Sequence, residues 1–247
     1  MSTLNHPAIS DSCVMQKYPN ARNNERKALL SLVSLTPGVS IVDVQAAGGY
    51  LSDGVNALLQ GNVDLICIEP ESSLSQRLNH SYRVVEDNIE HWPSIESESV
   101  DIVLGLAGLH HSNDQQATIN EAFRVLKPCG YFAICDVIDD SDIANWLNNY
   151  VHQHNQSGHI GDFLTPGEIS TMMSDAGFND IHESIKDVPW VFLYDLDVPT
   201  FFKGLFGLKN DINQIKKAIP NYFNLHKKFN CTEVPWQLIY AVAQKPG

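Results

Sequence analysis

The sequence predicts an α/β protein, an open and doubly wound parallel sheet covered by helices. Three observations carry this. Short apolar runs of strand type alternate with stretches of helical periodicity up to Val137. Small-residue, Gly and Pro turns separate the two kinds of segment. The 247 residues, 43% apolar and 18% charged, suit one large core with a lid rather than two full domains.

The elements follow in order. Asn24–Leu35 places Ala28, Leu29, Leu32 and Val33 at helical spacing and stops at Thr36-Pro37-Gly38. A strand at Val39–Val44 leads through the turn Gln45–Gly49 into a helix from about Ser52 to Gln60. Strands follow at Val63–Ile68, Tyr82–Val85 and Val100–Leu106. A helix over Asp114–Leu126 ends in the turn Lys127–Gly130, and a fifth strand covers Tyr131–Val137.

The later chain reads differently. Ser141–Gly161 is rich in Asn, Gln and His. Thr165-Pro166-Gly167-Glu168 has capping-box spacing for a helix to about Ala176. Gly177-Phe178 then turns into one strand reaching Phe192. Phe201, Leu205, Leu208, Ile212, Ile215 and Ile219 form one apolar face, which predicts a lid helix packed on the sheet in preference to a membrane-surface helix. A closing strand spans Trp236–Ala243.

Charge and cysteine usage narrow the partners. Sixteen basic against 29 acidic residues give a net charge of −13, a field that repels phosphate backbones and argues against nucleic acid. No apolar run approaches the roughly 18–20 residues of a membrane span, so no stable membrane insertion is expected. The N-terminus lacks the plan of a signal peptide. The five cysteines form no CxxC pair, and Cys67 and Cys135 sit in strand-like runs, so the expected location is cytoplasmic. A small-molecule partner is expected, and a homodimer is left open.

In a doubly wound sheet, ligands bind outside the carboxyl ends of the strands. The first such turn, Asp43-Val44-Gln45-Ala46-Ala47-Gly48-Gly49, is small enough for close backbone approach at a helix N-terminus. Glu69, after the second strand, can accept from a ribose diol. Asp87, after the third, can accept from an exocyclic amine, with the N–H groups of Asn88 and Ile89 offered to a purine ring. Each feature alone is common; three in order at consecutive strand ends are not. A nicotinamide site is disfavoured, because no G-x-G-x-x-G follows the first strand.

From about Val39 to Val137 the chain resembles the class I S-adenosylmethionine-dependent methyltransferases, in particular the small-molecule group that includes the ubiquinone-biosynthesis methyltransferases. The resemblance rests on Val-Asp-Val-Gln-Ala-Ala-Gly-Gly (42–49), Ile-Glu-Pro (68–70), Glu-Asp-Asn (86–88), Ser-Val-Asp-Ile-Val-Leu (99–104), Leu-His-His (109–111) and Phe-Arg-Val-Leu-Lys-Pro-Cys-Gly-Tyr-Phe (123–132). The last is the most specific. Segments 165–178 and 236–246 are similar to the family's C-terminal part, and 195–232 match only loosely.

The resemblance implies a Rossmann-like seven-stranded sheet with the last strand antiparallel and helical lid insertions, all in one domain. Residues 1–37 would form a helical cover, 38–137 the cofactor core, 138–235 the substrate and lid region with a late strand, and 236–247 the closing strand. It implies S-adenosyl-L-methionine as cofactor. Asp43 with Gln45, Ala46, Ala47 and Gly49 would hold its methionine end, Glu69 with Pro70 the ribose, and Asp87 with Asn88 and Ile89 the adenine. Leu106 and Ala107 would line its other side. The reaction implied is methyl transfer to O or N, less often C, of a small metabolite.

One departure stands out. The family's turn is acid-x-Gly-x-Gly-x-Gly, and here Gln45 and Ala47 replace the first two glycines. A side chain is strained at either position if φ must be positive. The turn is then either a working variant or the mark of a catalytically silent relative.

Methyl transfer needs alignment and exclusion of water, and a base only where the acceptor must lose a proton. His110 and His111 after the fourth strand and Asp136 at the end of the fifth are the candidates, each with packing as its alternative. Tyr18, Arg22, Trp146, Tyr150, His154, His159, Trp190, Phe192 and Tyr194 supply aromatic and polar groups for a flat or apolar substrate. No metal-ligand spacing stands out: His110 and His111 are adjacent, and His152 and His154 are two apart.

Overall fold

The computed structural model describes residues 9–11 and 13–247. In chain order it contains α1 (Cys13–Lys17), α2 (Asn23–Leu30), β1 (Ser40–Val44), α3 (Tyr50–Leu58), β2 (Asp64–Ile68), α4 (Ser72–Ser75), β3 (Arg83–Val85) and β4 (Val100–Leu106). Then come α5 (Gln115–Val125), β5 (Leu126–Val137) and α6 (Asp142–Asn145), which runs on through π-helical turns at Trp146–Val151 into α7 (His152–His154). The rest comprises α8 (Glu168–Ala176), β6 (Asn179–Asp187), β7 (Trp190–Phe192), α9 (Asp197–Leu205), α10 (Ile212–Ala218), β8 (His226–Lys227), β9 (Thr232–Val234) and β10 (Gln237–Gln244).

The main sheet has seven strands in the order β3-β2-β1-β4-β5-β10-β6. Strands β1 to β5 pair in parallel, and β10 runs antiparallel to both β5 and β6. The expected sheet with an antiparallel last strand is therefore present. Both faces are covered, so the strands are apolar on successive residues: Ile41, Leu65 and Leu104 face one core layer, and Val42, Ile66 and Val103 face the other.

Register places the site. Val44 stands opposite Ile68 on one side and Gly105 on the other. Gln45, Glu69 and Leu106 therefore leave the sheet side by side. This is the carboxyl edge at which the sequence located its candidates.

Four segments depart from the expected elements. The helix expected to run to Leu35 ends at Leu30, where the Ser31 hydroxyl donates back to the Ala28 carbonyl and competes with the helical pattern. The expected turn Lys127–Gly130 lies inside β5 as an offset: Val100 pairs with Leu126, and Ile102 with Tyr131. Cys129 takes φ 64° there, and a Cβ on Gly130 would lie 2.9 Å from two carbonyl oxygens. The single strand expected to reach Phe192 divides before Pro189, and β7 joins β9 and β8 in a separate three-stranded antiparallel sheet.

The helix expected over Phe201–Ile219 also divides, into α9 and α10. Gly207 adopts φ 57°, and Asp211 caps α10 with a full capping box through Gln214. The apolar face survives the break. Phe201, Leu205, Leu208, Ile215 and Ile219 are all buried in one core layer, which fits the lid and not a surface helix. Among the described residues no helix is long and apolar enough to cross a membrane.

Candidate active site

The turn after β1 adopts the strained form foreseen for it. Gln45 and Ala47 take φ 57° and 46°, and Gly48 and Gly49 take 81° and 95°. Only the last two are residues for which this region is free of strain. The N–H of Ala47 donates to Glu69 Oε2 at 2.7 Å, and the N–H of Glu71 donates to Oε1 at 2.9 Å. The carboxylate after β2 thus anchors the turn after β1. Burial raises the Glu69 carboxyl pKa, and these two N–H donors oppose the rise.

Asp43 is buried within β1, two residues before Gln45. Its Oδ2 accepts the Ser52 N–H at 3.1 Å and hydroxyl at 2.6 Å, tying β1 to α3. Burial pushes its pKa up to about 7 against those hydrogen bonds. Asp87 is half-buried and accepts from the N–H and hydroxyl of Ser94. Asn88 and Pro70 are exposed, and Ile89 and Ala46 are buried. Gly49 heads α3 as its N-cap.

A mostly apolar cavity opens where β1, β4 and β5 end. Gln45, Ala47, Leu106 and Ala107 line it on the sheet side, with Gly108, where a Cβ would lie 2.3 Å from Gln45 Oε1. Six buried polar atoms in its wall have no partner: Glu25 Oε1, Gln45 Oε1, His110 Nε2, His111 Nδ1 and the indole nitrogens of Trp190 and Trp236. Buried polar groups are nearly always paired, so six around one space mark a place built for a polar ligand.

The two histidines of the Leu109–His111 turn sit in this wall. Asp136 holds His110 through a 2.5 Å contact between Oδ1 and Nδ1, and takes the backbone N–H of His110 on Oδ2 at 3.1 Å. The N–H of Val137 donates to the same carboxylate at 2.6 Å. His159 arrives from the segment after α7 and packs edge-on against His111, ring centroids 5.1 Å apart. One ring nitrogen from each of His110, His111 and His159 falls within 4.8 Å of the others. Burial, reinforced by His110, holds His111 well below its ordinary pKa and His159 at about 3.

Comparison with known proteins decides the family. A family model described as a methyltransferase domain matches residues 17–183. The chain belongs to that family, the class I S-adenosylmethionine-dependent methyltransferases. The arsenite methyltransferase of Halobacterium salinarum is 23% identical over 177 residues, 68% of this chain and 44% of that protein. The chain thus spans less than half the length of this curated relative. Among solved structures, the YcgJ protein of Bacillus subtilis superposes with a TM-score of 0.65 at 16% identity, covering 91% of this chain and 100% of that one. Phosphoethanolamine N-methyltransferase 2 of Haemonchus contortus, solved with phosphomonomethylethanolamine and S-adenosylhomocysteine, gives 0.62 at 13%, covering 91% of this chain and 53% of that one. At such identities these structures share the fold. S-adenosylmethionine is the family's cofactor.

In this member of the family the substrate candidates divide. Arg22 and Trp190 line the cavity. Arg22 Nε pairs with Glu25 Oε2 at 2.5 Å, and its guanidinium lies over the Trp190 ring at 5.3 Å. Trp190 stacks on Trp236 with centroids 3.8 Å apart. The others lie outside the cavity wall. Tyr18 packs against Phe192 and Phe201, and its hydroxyl donates to Asp197 at 3.4 Å. Trp146 is fully buried and stacks on Tyr150, which in turn meets His154. Tyr194 is 70% exposed. Asp43, Glu69 and Asp87 are likewise not part of this wall.

Sequence reading missed Glu25, Leu147, Phe206 and Trp236 as parts of the wall. Glu25 carried the one usable signal, a charged residue on the inner side of a helix, three positions after Arg22. It also missed the meeting of His159 with His110 and His111, because the three come from segments with no linear ligand spacing.

Proposed function

We propose that the chain methylates an oxygen or nitrogen of a small metabolite, using S-adenosylmethionine, with the acceptor held in the cavity between Gln45 and Trp190. The observation that carries this is the ring of six unpartnered buried polar atoms in a cavity bordered by the β1 turn. The residues suit the cofactor. Glu25 Oε1 and Gln45 Oε1 are buried acceptors without a donor, apt for the N–H groups of a cationic amino acid moiety. Ala47, Ala107 and Gly108 leave its path open, and Glu69 and Asp87 stand at the next two strand ends for ribose and adenine.

When bound, S-adenosylmethionine supplies an electrophilic methyl group on a sulfonium. The protein's own residues do the rest. The apolar wall of Leu106, Val137, Leu147 and Phe206 excludes water. Asp136 fixes His110 as the tautomer with its proton on Nδ1, which leaves Nε2 facing the cavity as an acceptor. An acceptor O–H or N–H passes its proton to that nitrogen as its lone pair takes the methyl group. Trp190 and Trp236 offer indole N–H donors to a polar atom of the substrate.

Calorimetric titration with S-adenosylmethionine and S-adenosylhomocysteine tests the cofactor, and turnover on a panel of phenols, amines and hydroxy acids tests the reaction. Binding, with turnover lowered about 10²–10⁴-fold by Asp136→Asn, is expected. No binding at millimolar cofactor would sink the reading. Tight binding without turnover on any acceptor would favour a catalytically silent relative.

A further inference from the structure

The three imidazoles at the cavity raise a question that methyl transfer does not answer. His110, His111 and His159 are 2%, 6% and 2% exposed. Among them four ring nitrogens are buried without a partner: Nε2 of His110, Nδ1 of His111, and both of His159. One proton acceptor at His110 would satisfy a general base. It leaves the other two rings with polar atoms desolvated for nothing, each at the cost of a lost hydrogen bond.

We propose that His110, His111 and His159 bind a divalent transition metal of the zinc class, with a fourth position open to the cavity. The donor set is three neutral-type imidazoles, the ligands that suit zinc, copper, nickel and iron and not magnesium or calcium. A tetrahedral zinc with ligands at about 2.0–2.1 Å needs nitrogens about 3.3 Å apart. One nitrogen from each ring already lies within 4.8 Å of the others, so rotation of the side chains closes the set.

The surroundings fit a ligand set as well. Asp136 grips Nδ1 of His110, and is itself held by the N–H groups of His110 and Val137. A carboxylate behind a ligating histidine fixes the ring and raises its basicity. The segment carrying His159 is pinned. Asn148 both donates to the Gly161 carbonyl and accepts its N–H, and the Asp162 N–H donates to the His110 carbonyl. Gly161 lets the segment close down, since a Cβ there would lie 2.8 Å from His110 Cδ2.

The inference rests on the cavity being the acceptor site of the methyltransferase, and it names the class of acceptor. Three protein ligands and an open position are the arrangement of a site that takes a further ligand. The open position would face the space assigned to the substrate, because His110 and His111 line that space. A phenol or hydroxy acid would bind there as its oxygen anion, releasing a proton to solvent. The base role of His110 Nε2 belongs to the chain without the ion; with the ion bound that nitrogen would be a ligand, and the acceptor would enter already deprotonated.

The test uses the full chain, stripped with a chelator and titrated with Co²⁺ and with Zn²⁺ in the absence of cofactor. One Co²⁺ per chain is expected, with the visible absorption of a tetrahedral ion that Zn²⁺ displaces. His159→Phe and His111→Phe keep the bulk of the ring and are expected to weaken binding at least 10-fold, and Asp136→Asn about 10–100-fold. Thermal melts confirm that each variant folds, and the gain in melting temperature at a given Zn²⁺ concentration should be smaller in every variant than in the native chain. No stoichiometric binding, or equal binding in both Phe variants, overturns the site. S-adenosylhomocysteine titration of the chelated protein is read separately. Its failure would remove the methyltransferase reading and leave the metal result standing.

Discussion

The backbone N–H of Ala47 donates to the side chain of Glu69 at 2.7 Å, joining the strained turn after β1 to the carboxylate after β2. The two features that the sequence offered as separate parts of a cofactor site are thus one hydrogen-bonded unit. The bond also holds Ala47 at φ 46°, where a Cβ is unfavourable by roughly 1–2 kcal/mol.

Ala47→Gly should relieve that strain. Glycine's greater freedom in the unfolded chain takes back about 0.4–1 kcal/mol, so the expected gain is of the order of 1 kcal/mol at most. In a chain of this size that raises the melting temperature by about 2–4 °C. Calorimetric melts of the variant read this directly. A fall in melting temperature would mean that the Ala47 methyl packs usefully, and that the turn is a working variant of the glycine form.

Gln45 and Gly108 should behave as a coupled pair. A Cβ on Gly108 would lie 2.3 Å from Gln45 Oε1, and both residues line the cavity. Gly108→Ala is expected to cost about 1–3 kcal/mol by overpacking. In a Gln45→Gly background the same change should cost little. The cycle of four proteins, measured by urea denaturation, gives the coupling, and additivity would show that Gln45 swings away freely. Gln45→Gly alone should weaken S-adenosylhomocysteine binding, because it removes one of the two unpartnered acceptors assigned to the cationic end of the cofactor.

The fold was legible because each strand end carried its own punctuation. Strands β1 to β4 and α5 fall within a few residues of the expected bounds, and Asp114 caps α5 through the Ala117 N–H. Two of the misreadings come from tertiary partners that periodicity does not encode; the other two, at Ser31 and at Gly207, come from local breaks in a helical pattern. Leu126 is drawn into β5 by its pairing with Val100, and β7 leaves the main sheet because β9 offers it a second partner. In the site, residues at strand ends were found because topology places them. Trp236 and His159 were not, since they reach the cavity from segments far away in sequence. Aromatic richness marked Trp146 and Tyr150, but their rings close a core layer with Phe202 and Phe223 instead of lining the cavity.

Asp43 gives a pH prediction with a definite sign. Burial raises its pKa from an ordinary value of 3.8 to about 7. The native state then holds a proton that the unfolded chain has released. Its stabilising effect is fully present below pH 3.8 and is lost as pH rises through about 7. The linked loss approaches about 4 kcal/mol, because each pH step between the two values is worth about 1.4 kcal/mol. Asp43→Asn keeps an oxygen for the Ser52 hydroxyl and removes the titration. Denaturation curves from pH 4 to 8 should show a smaller decline for the variant than for the native chain, and parallel curves would place the Asp43 pKa at its ordinary value.

The Arg22–Glu25 pair makes the last prediction, because it is buried in the cavity wall at 6% and 0% side-chain exposure. Such a pair offsets its own desolvation only while both charges are present. Arg22→Met leaves Glu25 charged and unpartnered, and should destabilise the protein by about 3–5 kcal/mol. Glu25→Leu alone strands the guanidinium, though stacking on Trp190 and Tyr50 keeps part of its environment, so a smaller loss is expected. The double variant Arg22→Met/Glu25→Leu should recover most of the stability, since two apolar side chains fill similar space. Its cofactor affinity should not recover, because Glu25 Oε1 is one of the two unpartnered acceptors assigned to the cationic end of the cofactor. Stability restored together with full binding would remove Glu25 from the site and leave the pair a purely structural role.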